Sequence, residues 1–234
     1  MRRLQTVIFD FDDTLVYTYK LFLEATYEFM DAMKKMGLYD DELFKVLDDF
    51  DIKNIEKNGG FLPENFPDAM RQTYRYYCNK YKHRPDVIVE ESLQKIGWGV
   101  FEKEHELLPD AESLLEELKR SHALFLLTQG HKETQLKKIA TSGLAVYFEQ
   151  IKVVQQKNIQ TYQGLIKDFE LIPKDTWMIG NSIKSDINPA NACGINCILL
   201  NATASWDFDK DILKADCFVA KNLAECKYII TKGG

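Results

Sequence analysis

The stretch "VIFDFDDTLV", residues 7–16, sets three acids, Asp10, Asp12 and Asp13, directly after an apolar run. Carboxylates this close repel one another, so a cation, a shared proton or a reaction partner must offset the repulsion. Side chains of an extended backbone alternate with a period of two, so Asp10 and Asp12 are expected on the same side. Asp10 could attack an electrophile and also bind a metal, and Asp12 could hand a proton to a leaving group. In "GNSIKSD", residues 180–186, Asp186 can complete a cation site. An all-oxygen ligand set with a few carboxylates suits Mg2+. Lys157, three residues beyond another apolar run, could supply the positive charge that lets carboxylates and an anionic substrate coexist. A calcium loop of the EF-hand kind is excluded, because its sixth position must be Gly and, counting from Asp10, that position is Leu15.

These residues need elements that bring them together. Short unbroken apolar runs at 6–9, 123–127, 151–154, 176–179 and 197–200, with a weaker one at 217–220, read as buried parallel strands. Helical patterns lie between them at 107–122, 131–142, 158–170 and 182–193. Alternating strand and helix predict a doubly wound, Rossmann-like α/β sheet. Asp10, Thr128 and the pair Gly180–Asn181 each follow a strand directly. Ligands of open parallel sheets bind at the carboxyl ends of the strands, so these three points can converge.

Residues 17–105 contain no convincing strand. Phe22, Ala25, Phe29, Met33 and Met36 form one helical stripe, and Phe66, Met70, Tyr74, Tyr77 and Tyr81 a second. Val89, Leu93 and Ile96 suggest a third. The segment 57–67, "KNGGFLPENFP", reads as a loop. The tyrosine-rich stripe fits the core face of a helix bundle; a stacking platform for a base or flavin is the competing use, and the helical spacing favours the core.

The chain of 234 residues can bury a sizeable core, and its net charge of −6 without a basic run argues against nucleic acid as a partner. Five cysteines, an odd number with no CxxC pair, suit a reducing compartment. No apolar run approaches the ~20 residues that span a bilayer. The expectation is a cytoplasmic protein with no membrane partner; the sequence does not fix its oligomeric state.

Taken together the motifs resemble those of the haloacid dehalogenase superfamily of hydrolases. "FDFDDTL" resembles its motif I (DxDx[TV]), "LFLLTQG" its motif II and "KNIQTY" its lysine motif III. "MIGNSIKSDINPA" resembles motif IV, and the helical stretch after motif I is similar to the C1 cap of subfamily I. The resemblance spans the whole chain. It implies a Rossmann-like core, 1–16 and 106–234, with an inserted all-helical cap, 17–105, closing over the strand ends.

It further implies Asp10 as a nucleophile forming an aspartyl phosphate, and Asp12 as the acid and then base. Thr128 and the backbone amides after it, at Gln129 and Gly130, would hold phosphoryl oxygens. Lys157 would neutralise charge and orient Asp10. Mg2+ would be bound by Asp10, the Asp12 carbonyl, Asn181 and Asp186. The implied activity is a Mg2+-dependent phosphatase for a small phosphorylated metabolite, with Asp12 protonated for the first step.

Two positions depart from the pattern. Asn181 stands where motif IV usually has Asp, which predicts weaker Mg2+ binding. Asn158 stands where Pro is common, and Lys152 competes with Lys157 for the lysine role. The alternatives are a non-catalytic phospho-ligand-binding protein, a phosphomutase, a phosphonatase with a cap lysine such as Lys20, Lys34 or Lys35, and a 2-haloacid dehalogenase. The dehalogenase branch lacks an acid at the position of Asp12 and has a shorter Asn-to-Asp step. Tyr17, Tyr19, Lys20, Arg71, Tyr74 and Trp98 are candidate pocket residues.

Overall fold

A computed structural model describes residues 5–200, 211–214 and 216–233. In chain order they form β1 (Gln5–Phe9), α1 (Tyr19–Lys35), α2 (Leu43–Asn58), α3 (Asn65–Lys80), α4 (Val87–Gly99) and α5 (Ala111–Leu118). Then follow β2 (His122–Gln129), α6 (Lys132–Thr141), β3 (Gln150–Val154), α7 (Ile159–Asp168), β4 (Thr176–Gly180), α8 (Asn188–Asn191), β5 (Asn196–Leu200), β6 (Phe218–Ala220) and α9 (Leu223–Gly233). The chain divides into two compact units, Met1–Tyr19 with Glu104–Gly234, and Lys20–Lys103. The sequence placed these boundaries at 16/17 and 105/106, three and two residues away.

The first unit is built on one parallel sheet in the order β3-β2-β1-β4-β5-β6. The apolar runs split by period two between its faces. Val7, Phe9, Leu124 and Leu126 enter one core cluster, and Ile8, Phe125 and Leu127 the other. A strand covered on both faces needs no polar side, which is why these strands read as unbroken apolar runs. The chain lays β2 and β3 on one side of β1, then crosses to β4 on the other. The strand order therefore reverses beside β1, where open α/β sheets leave a crevice at the carboxyl ends.

The second unit packs α1–α4 around Phe29, Met33, Leu43, Leu47, Met70, Tyr74, Tyr77 and Leu93. The tyrosine stripe is core as its spacing indicated: Tyr77 is 0 % and Tyr74 3 % exposed. Helix α2 was not foreseen. Its buried residues are only Leu43, Leu47, Asn54 and Ile55, and Asp48, Asp49, Asp51 and a buried Asn interrupt the apolar stripe that would announce it.

Residues 182–193 are not one regular helix either. Ile183–Ile187 form a π-type turn before α8. The N–H groups of both Asp186 and Ile187 donate to the Ser182 carbonyl, at 2.9 and 3.2 Å, and Pro189 has no N–H with which to continue the ladder. Single π turns recur at functional sites.

Candidate active site

Asp10 leaves β1 at the centre of the sheet, and its N–H donates to Ile179 O at 2.9 Å. The chain then turns tightly. Leu15 N–H donates to Phe11 O at 2.9 Å, Asp13 N–H donates to Val16 O at 2.7 Å, and Asp13 takes a φ of 57°. This turn buries Thr14 completely, and its hydroxyl donates to Asp10 Oδ2 at 2.9 Å. The other carboxylate oxygen, Oδ1, accepts from Lys157 Nζ at 2.5 Å.

Lys157 comes from the loop after β3 and also donates to Asp186 Oδ1 at 2.5 Å. Asp186 is fully buried, and its Oδ2 accepts from Ser182 N–H at 3.0 Å. One ammonium thus ties together two buried carboxylates from the ends of β1 and β4. Gly180 is required by this approach: a Cβ there would collide with the Asp186 carboxylate. Burial pushes Asp10 up to about 7 against the pull of Lys157, and the charges of Asp186 and Asp12 add to the rise. Burial opposes the Lys157 ammonium, yet Asp10 and Asp186 hold its pKa above the ordinary value. Lys152, the competing lysine, lies near Asp168 at 3.8 Å, and its side chain is 42 % exposed.

Asp12 has a different set of partners. Its Oδ1 accepts from Thr18 Oγ1 at 2.5 Å and pairs with Lys138. Its Oδ2 accepts from Gln135 Nε2 at 2.7 Å. Burial alone would raise this carboxyl, but Lys138, Thr18 and Gln135 outweigh it and hold the pKa below its ordinary value. The clustered acids were expected to raise one carboxyl of the group; in the free site that one is Asp10, raised by burial, while Lys138, which lies outside the four motifs, lowers Asp12 together with Thr18 and Gln135. His105 is pushed down to about 4 by burial and by the charge of Lys138, so it is neutral.

Thr128, the next-to-last residue of β2, is fully buried, and its hydroxyl oxygen accepts from Gln135 Nε2 at 2.5 Å. The Gln129 side chain accepts from Lys157 N–H at 2.8 Å and so fixes the lysine loop. The Gly130 N–H donates to Val154 O at 3.0 Å. Of the cradle expected at 128–130, this amide is spent on the sheet.

The family model of haloacid dehalogenase-like hydrolases matches residues 7–200. The chain belongs to that family. Its curated relatives include the putative HAD-hydrolase YfnB of Bacillus subtilis, 23 % identical over 216 residues, which cover 86 % of each chain. The glyceraldehyde 3-phosphate phosphatase of Pyrococcus furiosus is 25 % identical over 203 residues, 85 % of this chain and 81 % of that one. Among solved structures, a haloacid dehalogenase-like family hydrolase from Xanthomonas campestris superposes with a TM-score of 0.80 at 22 % identity, covering 99 % of this chain and 96 % of the other. L-2-haloacid dehalogenase from Xanthobacter autotrophicus shares the fold, with a TM-score of 0.65 at 13 % identity over 99 % and 100 % of the two chains.

Members of this hydrolase family generally use Mg2+. The end of the Asn181 amide lies 3.2 Å from the Asp12 carbonyl, 3.2 Å from Thr14 Oγ1 and 3.3 Å from Asp10 Oδ2. With its nitrogen turned to them it donates to all three acceptors. With its oxygen turned to them, Asn181 Oδ1 stands about as far from Asp12 O and from Asp10 Oδ2 as adjacent ligands of one ion do, ~3 Å for metal–oxygen distances of ~2.1 Å. The residues therefore fit Mg2+, with one charged ligand among the three. Among the described residues no group of three or more His, Cys, Asp and Glu side chains could hold a metal, as expected when two of the oxygens belong to a carbonyl and an amide. Asp186 has both oxygens engaged, by Lys157 and by Ser182 N–H, and stands behind the lysine.

Sequence reasoning missed Thr14, Gln135, Lys138 and Ser182. Gln135 and Lys138 are three residues apart on α6, the helix that starts just beyond the Thr128 motif. A helix beginning there sets one face of its first turns toward the strand ends, and that was the available signal.

Among the candidate pocket residues, Arg71 pairs with Asp68 at 3.1 Å. The Tyr74 hydroxyl is taken up by Asp86 N–H at 3.1 Å. No helix of the described residues is long and apolar enough to cross a membrane.

Proposed function

We propose that the chain is a Mg2+-dependent phosphatase that hydrolyses a small phosphorylated metabolite through an aspartyl phosphate on Asp10. The observation that carries this reading is the placement of Asp12. A second carboxylate, two residues beyond Asp10, is fastened by Gln135 to Thr128, the residue expected to hold phosphoryl oxygens. Phosphoryl transfer needs in-line positioning, positive charge near the equatorial oxygens and a group that moves protons on and off the flanking oxygens. Lys157, Thr128 and Asp12 supply these. Similarity to the Pyrococcus furiosus phosphatase supports the same class.

In the first step an Asp10 carboxylate oxygen attacks phosphorus. The substrate enters as its monoanion and its phosphoryl proton passes to Asp12, a carboxylate in the free site; the bond from phosphorus to the ester oxygen breaks, and Asp12 gives that proton to the departing alkoxide. In the second, Asp12 as a carboxylate takes a proton from water. The water oxygen attacks phosphorus, and the bond from phosphorus to the Asp10 oxygen breaks to release inorganic phosphate. Lys157 holds Asp10 in place throughout, and the Thr128 hydroxyl steadies a phosphoryl oxygen. When bound, Mg2+ supplies positive charge next to Asp10 and the phosphoryl group. Five cysteines without a disulfide favour action in the cytoplasm.

The test is hydrolysis of p-nitrophenyl phosphate with and without Mg2+, run beside chloride release from 2-chloropropionate. Metal-dependent phosphate release without chloride release is expected. Chloride release without phosphatase activity would replace this reading by the dehalogenase one.

A further inference from the structure

Helix α6 turns two polar side chains inward. Gln135 is 4 % exposed, and the Lys138 side chain is 12 % exposed, with its ammonium 5.9 Å from the Phe11 ring centroid. Lys132 and Lys137 on the same helix lie in solvent. Burying one lysine of three costs desolvation, and its partner here is Asp12.

We propose that Gln135 and Lys138 are positioning residues that select Asp12 Oδ2 as the atom moving protons in the reaction. The inference rests on the phosphatase reading. A carboxylate oxygen has about two lone-pair sites. Oδ1 receives two donors, Thr18 Oγ1 and Lys138 Nζ, and is saturated. Among the described residues Oδ2 receives only Gln135 Nε2, which leaves one of its sites open. The same Gln135 nitrogen has a second hydrogen, directed at Thr128 Oγ1. Because Thr128 accepts there, its own hydroxyl hydrogen is free for a phosphoryl oxygen. Gln135 thereby sets the open site of Asp12 and the donor of Thr128 side by side, and Lys138 stops the carboxylate from rotating away. Neither residue touches substrate in this account; both act through Asp12 and Thr128.

The experiment compares wild type, Lys138→Met, Lys138→Arg and Gln135→Met on p-nitrophenyl phosphate with Mg2+. p-Nitrophenolate departs without a proton, so a misplaced Asp12 slows only hydrolysis of the aspartyl phosphate. Lys138→Met is expected to lower kcat about 100-fold, within the range of general acid–base contributions. It should also show a burst of p-nitrophenol and accumulate phosphate on Asp10, detected by mass spectrometry after acid quench. Lys138→Arg should restore part of kcat and suppress the accumulation, and Gln135→Met should shift both readouts the same way by a smaller factor. If Lys138→Met does not fold, judged by its melting curve, Gln135→Met decides by the same readouts. Unchanged kcat, or a loss of rate with no accumulated phosphoenzyme, overturns the inference while leaving an active wild type as a phosphatase. An inactive wild type removes the phosphatase reading and the inference with it.

Discussion

In the sheet unit Asp10 and Asp186 share Lys157, and Asp12 has Lys138, each lysine arriving from a different element than its acid. In the helical unit Glu90 on α4 is gripped by Arg75 on α3 through two bonds of 2.7 Å, and Asp40 is held by Tyr77 and Lys80. There Asp51 keeps one buried carboxylate oxygen with no hydrogen-bond partner among the described residues. The cations of the helical unit are half in water: the Arg75 side chain is 52 % exposed against 4 % for Lys157. A buried pair loses solvation on both sides and is retained at that cost only where geometry is fixed by further contacts. The sheet unit accepts the cost at the strand ends, where an anionic substrate and a metal would need fixed charges. The helical unit keeps one end of each pair wet, which suits fastening one helix to the next.

The largest effect that would sharpen this comparison comes from Lys157→Met. It strands Asp10 and Asp186 in the interior, and turnover of p-nitrophenyl phosphate should vanish while stability falls by about 3–5 kcal/mol in urea titration. Retained activity would break the contrast. Arg75→Met should cost less, about 1–3 kcal/mol for leaving the Glu90 carboxylate buried without its partner, and should leave kcat on the same substrate within about twofold.

The smallest effect is a gain. Burial, helped by the charge of Asp48, pushes Asp51 up to about 7. A carboxyl raised in the folded state binds its proton more tightly there than in the unfolded chain. Its contribution is fully present below about pH 4 and is lost as pH rises through about 7. Asp51→Asn is therefore expected to be near neutral at pH 4 and stabilising by roughly 1 kcal/mol at pH 8, read as a pH-dependent difference in melting temperature. Equal stability at both pH values would mean that Asp51 finds compensation in solution.

The sheet was legible because a strand covered on both faces must be apolar throughout, and five of its six runs had no competing pattern. Asp10, Asp12, Thr128 and Lys157 were legible because each adjoins such a run. Helix α2 was hidden because acids and a buried Asn stand in its stripe. Lys138 was hidden for a related reason: in "HKETQLKK" three lysines look alike, and only the helical phase relative to the strand ends separates the buried one from the two in water. The split between the two carboxyls has two causes: burial raises Asp10, while Lys138, helped by Thr18 and Gln135, lowers Asp12. It could not be read from the spacing of the acids.

The most direct test of the central claim, that Asp10 is the phosphoryl acceptor held by Lys157, is Mg2+-dependent turnover of p-nitrophenyl phosphate by wild type and Asp10→Asn side by side. The account predicts turnover by the wild type and a loss of at least about 1,000-fold in the variant, with its melting curve intact. Turnover by Asp10→Asn within tenfold of wild type would contradict it.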